Sequence, residues 1–479
     1  MTSPDPYDRQ PYTEHAYAET HPDRLAVVAL LAGWRPPAVP TARVLELGCG
    51  PGGNLLPMAA QLPGASLVGV DLSRVQIEHA RAVAGETGLT NVTFHEASFD
   101  DAAAAPGPFD FVVAHGVCSW VAPAARRALL RAVAGALSSG GIAYVSFNVL
   151  PGWYDRMAPR AWLRAHPTDD PLASLAWLRD RVSPELSEYR RRLDAVARRL
   201  GETDRAYATH EYLADEHHPM FVRDLLAEAT DAGLTYLGDA VPSETALEML
   251  PDDEARGRAR ASDAPGAQEI VDFVRNTAFR RALFVRTDAA RAAGWQWSPG
   301  LSAAAIDAMR VASRLRPHGS SAGPDARGAE RFDGPESSVQ VDSGVARRAL
   351  HTLADAAPRS RPFGDLAGGT DAAALRAELF DLWLATGALD FHVHEPPLAG
   401  PDVLRPLACP VARWHAAHGG PITNRWHQAV RLEDPPMRAV LALLDGTRTL
   451  AEVARAAGCT DAVASACVEA IARAALLAG

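Results

Sequence analysis

Residues 44–52 read V-L-E-L-G-C-G-P-G, an apolar run of strand length that breaks into a turn carrying Gly48, Gly50 and Gly52 and then opens a helix. Glycine belongs in such a turn because the backbone must reverse sharply and let a ligand approach with no Cβ in the way. Nineteen residues after Gly52, a second apolar run, 67–70, ends in Asp71, whose carboxylate can accept both hydroxyls of a ribose. Two strand ends of this kind limit the chain to an α/β fold whose ligand lies beyond the carboxyl edge of a parallel sheet. Gly48, Gly50 and Gly53 also fit the G-x-G-x-x-G spacing of a dinucleotide site. A pyrophosphate, however, wants bare amides and positive charge at that turn, whereas Glu46 precedes it and Pro51 removes one donor. A nucleoside with a cationic amino group suits that acid better. The bland alternative is a tight turn in an α/β core that holds nothing.

Apolar runs and amphipathic stretches alternate onward from this turn, which predicts strands at 44–47, 67–70, 92–95, 109–114 and 142–147 and helices at 53–62, 74–87 and 124–136. After a helical, Arg-rich stretch, a helix at 220–232 and strands at 235–240 and 280–286 complete the sheet. The expected domains are therefore 1–290, with helical insertions at about 151–215 and 242–276, then 291–395 and 396–479. In the last two, 302–315, 346–357 and 371–386 read as helices, 389–395 as a strand, and 437–445, 450–456 and 460–477 as a helical cluster. Residues 316–338, rich in Gly, Pro and Ser, read as a flexible loop.

Acidic residues outnumber basic ones 58 to 47, a net charge of -11, so no overall positive field draws in nucleic acid or anionic lipid. The five cysteines are odd in number and lack C-x-x-C spacing, which points away from a disulfide framework and a zinc site. Neither His217-His218 nor His392 and His394 beside Glu395 have the further ligands a metal needs. The longest apolar run, 26–32, is too short to cross a bilayer and follows no cleavable leader pattern, so a cytoplasmic protein is expected. All 47 basic residues are arginine, which compositional drift in an Ala/Arg-rich sequence explains without selection.

E-x-G-x-G-x-G followed by G-V-D-L-S resembles the class I S-adenosylmethionine-dependent methyltransferases. Longer stretches narrow the likeness: residues 11–26, 45–59, 115–121 (H-G-V-C-S-W-V), 143–153 (A-Y-V-S-F-N-V-L-P-G-W), 210–213, 233–240, 271–280, 409–416 and 444–449. Together they resemble the members that carry a methyltransferase regulatory domain, among them the rickettsial-type protein lysine methyltransferases. The resemblance implies a Rossmann-like sheet followed by winged-helix-like domains, a protein substrate presenting lysine and homodimers. It also implies an N-terminal segment over the cofactor, with Tyr12, Tyr17 and His21 as its caps. Cys118, Phe147 and Leu150 replace hydroxyl-bearing residues common in relatives, which points to a different acceptor pocket.

The expected cofactor site adds Cys49, Asn54, Leu72, Ser73, Gln76, Ser98, Phe99 and the backbone near His115 to Glu46, the glycines and Asp71. A methyl acceptor must reach the sulfonium in line, so its groups should come from the next two strand ends: His115 and Trp120, then Asn148 and Trp153. Aromatic faces attract a cationic amine, and Asn148 can orient its N–H bonds. An amine with a pKa of about 10.4 must first lose a proton, for which His115, His210, Glu211 or water is available. The other readings are methylation of a small metabolite or peptide natural product, and a cofactor-binding regulator without turnover.

Overall fold

Apolar runs without polar alternation form strands only where a sheet is covered on both faces, and the first half of the chain builds such a sheet. The structure, a computed structural model, describes residues 13–99, 107–168, 170–202, 211–319, 323, 328–334, 338–369, 371–432 and 434–479. The strands are β1 (Arg43–Leu47), β2 (Ser66–Asp71), β3 (Val92–Glu96), β4 (Phe109–Ala114), β5 (Leu137–Asn148), β6 (Leu234–Asp239) and β7 (Phe279–Arg286). They lie in the order β3-β2-β1-β4-β5-β7-β6. The first five are parallel, and β7 runs antiparallel between β5 and β6.

Because side chains alternate across a strand, Val44 and Leu45 enter different cores. Val44, Phe111 and Tyr144 pack beneath helices Pro22–Leu31, Leu55–Gln61 and Arg74–Thr87. Leu45, Val112 and Val145 pack beneath Pro123–Ala136 and Val222–Asp231 on the other side. The first cluster continues without a break into the C-terminal helices through Val411, Val440, Val453 and Ile471, so the sheet and the end of the chain share one core.

Helices interrupt the order of the sheet at two places. Tyr154–Ala165, Pro171–Arg181 and Ser187–Glu202 enclose a small core of their own around Leu163, Leu175 and Leu193. Asp253–Arg260 and Ala264–Arg275 fill the connection between β6 and β7.

Two expectations for the later part of the chain are corrected. Residues 302–315 are not a helix: a 3-10 turn at Ala303–Ala308 leads into a strand, Arg310–Ser313, held between Arg361–Pro362 and Leu389–His392. Alanine is the best helix former, but propensity is a weak determinant, and two flanking strands offering backbone partners outweigh it. Residues 316–338 are not wholly a loop either. Arg316–Pro317, Glu330–Asp333 and Ser338–Val341 form an antiparallel sheet that buries Phe332, Val339 and Val341. Residues 320–322, 324–327 and 335–337 of that stretch lie outside the described ones. Strands of two to four residues between Gly-rich turns leave no periodicity to read. The helix Pro410–His418 had no counterpart among the expected elements.

Among the described residues no helix is long and apolar enough to cross a membrane, and no group of three or more His, Cys, Asp or Glu could hold a metal ion.

The connection between β6 and β7 is pinned by a buried charge. Arg280 donates to Asp272 at 2.9 and 3.1 Å, to Asp239 at 2.6 Å and to Gln268 Oε1 at 2.9 Å. Removing one member of such a group strands the others in an apolar medium. Arg280→Met is expected to cost about 3–5 kcal/mol in a urea unfolding experiment, whereas Arg286→Met, which frees the exposed Asp288 and one long bond to Leu137 O at 3.3 Å, should cost about 1 kcal/mol or less.

Candidate active site

Gly48 follows the end of β1 at φ 76°, and its N–H, like that of Cys49, donates to Val70 O, at 2.8 and 3.1 Å. A Cβ on Gly48 would stand 2.4 Å from Val117 Cγ2, so the turn and the loop after β4 touch there. Asp71 braces the turn from the neighbouring strand: its carboxylate accepts the Gly50 N–H and the Ser73 N–H, each at 2.9 Å. Leu72, 57% exposed, projects beside it.

Over this turn lies the chain's own N-terminal segment. A Cβ on Gly53 would meet His15 N at 2.6 Å and Glu14 Cα at 2.8 Å, so only glycine admits this strap. Glu14 is clamped between His79 and His415. Burial opposes ionisation of Glu14, but those two imidazoles prevail and hold its pKa down at about 2. Tyr17 donates its backbone N–H to Asn54 Oδ1 at 3.1 Å, and its ring stacks on His115 with centroids 3.6 Å apart.

Strap, turn and strand ends enclose a cavity of about 540 Å³. At one end stand Glu46, Gly48, Gly50, Asp71, Gln76 and Phe99. At the other stand Trp120, Asn148, Arg156, Arg199, Glu211 and Arg281. Of the expected site residues, Tyr17, Glu46, Gly48, Cys49, Gly50, Asn54, Asp71, Leu72, Gln76, Phe99, His115, Trp120, Asn148 and Glu211 all line this cavity.

The structure does not bring the others to it. His21 faces the C-terminal part of the chain, where its Nδ1 accepts the Asp23 N–H at 3.2 Å and its ring lies 5.3 Å from that of His427. Gly52 packs on Phe94 and Ala80 beneath the turn. Ser73 caps helix Arg74–Thr87, and Ser98 lies outside the lining. Trp153 is fully buried behind Trp120, which lines the cavity, and beside His217, whose ring lies 4.1 Å away. Tyr12 and His210 lie outside the described residues.

His217 was missed as a site residue, and its neighbours show why it matters. Its ring sits 4.6 Å from Trp120 and 4.1 Å from Trp153, and its Nε2 lies 3.1 Å from Asn148 Nδ2. Burial, with Arg160 and His218 nearby, lowers its pKa to about 3, so the ring is neutral and accepts the amide N–H. That bond fixes the Asn148 amide with its oxygen on the other side, as an acceptor. Arg281 was missed too. It donates to Glu19 at 2.8 Å and to Glu244 at 2.5 Å, tying the strap to β7. His217 lies in a loop and Arg281 on β7, and for each only three-dimensional proximity reveals a role; the run 271–280 stops one residue short of Arg281.

Charge at the nucleoside end is unusual. Glu46 is buried and accepts one hydrogen bond, from Asn54 Nδ2 at 2.9 Å, while its Oε2 has no partner among the described residues. Burial, reinforced by Asp71 and only partly offset by Asn54, pushes its pKa up to about 8. A cationic amino group placed there would complete the carboxylate's bonding. His115 is held by Tyr144, whose Oη lies 2.8 Å from Nδ1, and burial lowers its pKa to about 3.

Comparison with known proteins accords with this geometry. The profile described as "Methyltransferase domain" matches residues 44–141, the "Predicted methyltransferase regulatory domain" matches 204–286, and the "PKMT, C-terminal winged helix domain" matches 405–465. An uncharacterized protein of Rickettsia prowazekii is 31% identical over 47% of this chain and 93% of its own length. The chain belongs to the class I S-adenosylmethionine-dependent methyltransferases with a methyltransferase regulatory domain. Another uncharacterized R. prowazekii protein is 34% identical over 59% of the chain, which spans 53% of that relative's length. The structure of PKMT2 from Rickettsia typhi in complex with AdoHcy has the same fold, with a TM-score of 0.85, 24% identity, and 98% of this chain and all of that one covered.

For this methyltransferase the residues present fit the family's cofactor, because Glu46, which lines the cavity with one oxygen unpartnered, suits a cationic group and Asp71 stands by the turn. Below pH 8 Glu46 carries a proton that a cationic ligand must expel. Affinity for S-adenosylhomocysteine, whose amino group is cationic, should therefore rise as pH increases toward about 8 and fall again once the ligand's own amino group loses its proton. Calorimetry at pH 7 in buffers of differing ionisation enthalpy should show proton release that Glu46→Gln abolishes. Asp71→Ala and Gly50→Val should each abolish binding in the same experiment.

Proposed function

We propose that the chain transfers the methyl group of S-adenosylmethionine to lysine side chains of a protein substrate. One observation carries the proposal: a single cavity joins the glycine turn and Asp71 to an end furnished with the Trp120 indole, the Asn148 amide and the Glu211 carboxylate. An indole face and a carboxylate suit an alkylammonium entering from solvent, and an amide oxygen suits its N–H bonds once it is neutral. The shared fold with Rickettsia typhi PKMT2, and the match to a PKMT winged helix domain, support a protein as the acceptor.

In this reading Asp71 takes the ribose hydroxyls, Glu46 the amino group, and Leu72, Gln76 and Phe99 flank the adenine. The cofactor supplies the methyl and leaves as S-adenosylhomocysteine, so the protein's work is to align and desolvate the amine. With a pKa of about 3, His115 is a poor proton acceptor near neutral pH; stacked on Tyr17 and bonded to Tyr144, it positions the strap. Glu211 takes the role of receiving the amine proton, and Arg156 at 3.3 Å and Arg199 at 3.8 Å hold it in place. Trp153 and His217 act from behind, on Trp120 and Asn148. Residues 1–290 form the catalytic domain, and 291–395 and 396–479 the platform for the substrate.

Arg156 and Arg199 at the cavity also favour a second reading, an acidic small-molecule acceptor. Incubation with methyl-labelled cofactor and cell extract separates the two: label in lysine residues of protein supports the first, label in the small-molecule fraction overturns it in favour of the second, and no label at all overturns both. Glu211→Gln should lower kcat by about a hundredfold and leave the affinity for S-adenosylhomocysteine unchanged.

A further inference from the structure

The C-terminal part of the chain reaches the cofactor cleft through His415, at Glu14, and through a turn that carries His427. Between the strands Ile422–Thr423 and Ala429–Val430 the chain turns through Asn424, whose side-chain oxygen accepts the N–H groups of Trp426 at 2.9 Å and Gln428 at 3.0 Å. That turn holds His427 at φ 58°, a left-handed conformation that a residue with a Cβ seldom adopts. The strained backbone drives the imidazole inward, where it is fully buried. Its Nε2 lies 2.8 Å from Asn54 Oδ1 and its Nδ1 lies 2.9 Å from Gln61 Oε1. Gln61 in turn donates to Asn424 O at 2.7 Å, closing the ring of contacts back onto the turn.

Asn54 is the residue through which this contact is felt. It precedes helix Leu55–Gln61 but does not cap it with its side chain. Its NH2 donates to Glu46 Oε1 at 2.9 Å and to Thr20 Oγ1 at 3.0 Å, and its Oδ1 accepts the Tyr17 N–H at 3.1 Å. With the amide nitrogen committed to Glu46, the oxygen must face Tyr17 and His427; burial keeps the imidazole neutral, so its one N–H is placed on Nε2, toward Asn54, and Nδ1 stands against Gln61 Oε1 without a proton. Two acceptor sites on Oδ1 are thus filled from the strap and from the chain's far end. Without the second, a buried carbonyl oxygen loses a bond and the amide is freer to rotate away from Glu46.

We propose that His427 is a positioning residue for the cofactor cleft, acting through Asn54 on Glu46, so that the C-terminal hairpin completes the nucleoside end of the site. This rests on the reading that the cleft takes S-adenosylmethionine. The turn Asn424–Gln428 is then a built part of the active site, contributed across 373 positions of sequence. His415 clamps the strap independently, at Glu14.

The test compares two substitutions in the full chain that differ by one methylene. His427→Asn tolerates the left-handed backbone but falls short of Asn54; His427→Gln carries an amide N–H to about the place of Nε2. By calorimetry, His427→Asn should weaken S-adenosylhomocysteine binding about tenfold, and His427→Gln should restore most of it. In turnover, the KM for S-adenosylmethionine should rise in His427→Asn with kcat at saturating cofactor unchanged. Asn54→Ala should weaken binding by at least as much, and adding His427→Asn to it should change little. Thermal unfolding confirms that each variant is folded at the assay temperature. Unchanged affinity in His427→Asn would overturn the proposal, as would a loss that His427→Gln fails to restore and that adds in full to that of Asn54→Ala. If the unsubstituted chain binds no S-adenosylhomocysteine, the reading of the cleft fails instead.

Discussion

The site converges on one amide group, that of Asn54. A primary amide has two N–H donors and an oxygen with two acceptor sites, and here all four are spent on different parts of the chain: Glu46 at the end of β1, Thr20 and Tyr17 in the strap, and His427 in the C-terminal hairpin. No apolar contact could do this, because burial of carbon has no direction, whereas an amide assigns each neighbour a place. The same bond from Asn54 leaves Glu46 half satisfied, with one oxygen bonded and the other bare. A buried acid in the cleft is thereby left with one oxygen that makes no hydrogen bond among the described residues.

That incompleteness has a thermodynamic counterpart. A carboxyl whose pKa rises from 4.5 in the unfolded chain to about 8 in the folded one binds more protons when folded. Between those values folding stability falls as pH rises. Glu14 works in the opposite sense: its pKa of about 2 means a contribution fully present above 4.5 and lost as pH falls through 2. Near neutral pH Glu14 is therefore ionised in its clamp while the acid beneath the strap is kept protonated by burial. A cationic ligand relieves the second without disturbing the first.

The sheet was legible because its signals are local. Continuous apolar runs, Gly48 and Gly50 in the turn and Asp71 at the next strand end each follow from backbone geometry or side-chain chemistry within a few residues, and the ends of the seven strands match within one residue except the start of β5, which lies five residues earlier. The cavity residues on these strand ends were legible for the same reason. Long-range pairing was not. The strand Arg310–Ser313 exists because Phe391 stands opposite Val311 some 80 positions on, and Ala-rich sequence before it argues for a helix. His217 and His427 carry no motif of their own; each matters only through an amide it meets in space, at Asn148 and at Asn54. The same limit misplaced Trp153 and His21, whose residue types suit a ligand site but whose backbones lie one layer away from it.

Continuity of the core bears on why the far end of the chain should matter to the cleft at all. Val411, Val440, Val453 and Ile471 belong to the same apolar cluster as Val44, Phe111 and Tyr144 beneath the sheet. A separate module joined by a linker would place His427 within reach of Asn54 only part of the time. Here the hydrophobic effect fixes the separation, and the hydrogen bonds, worth about 1 kcal/mol each, need only choose the orientation. The division of labour explains how a contact of 2.8 Å can span the chain from Asn54 to His427. Burial of carbon brings the hairpin to the helix, and the strained turn at His427 converts that docking into one directed donor at the place where Glu46 is held.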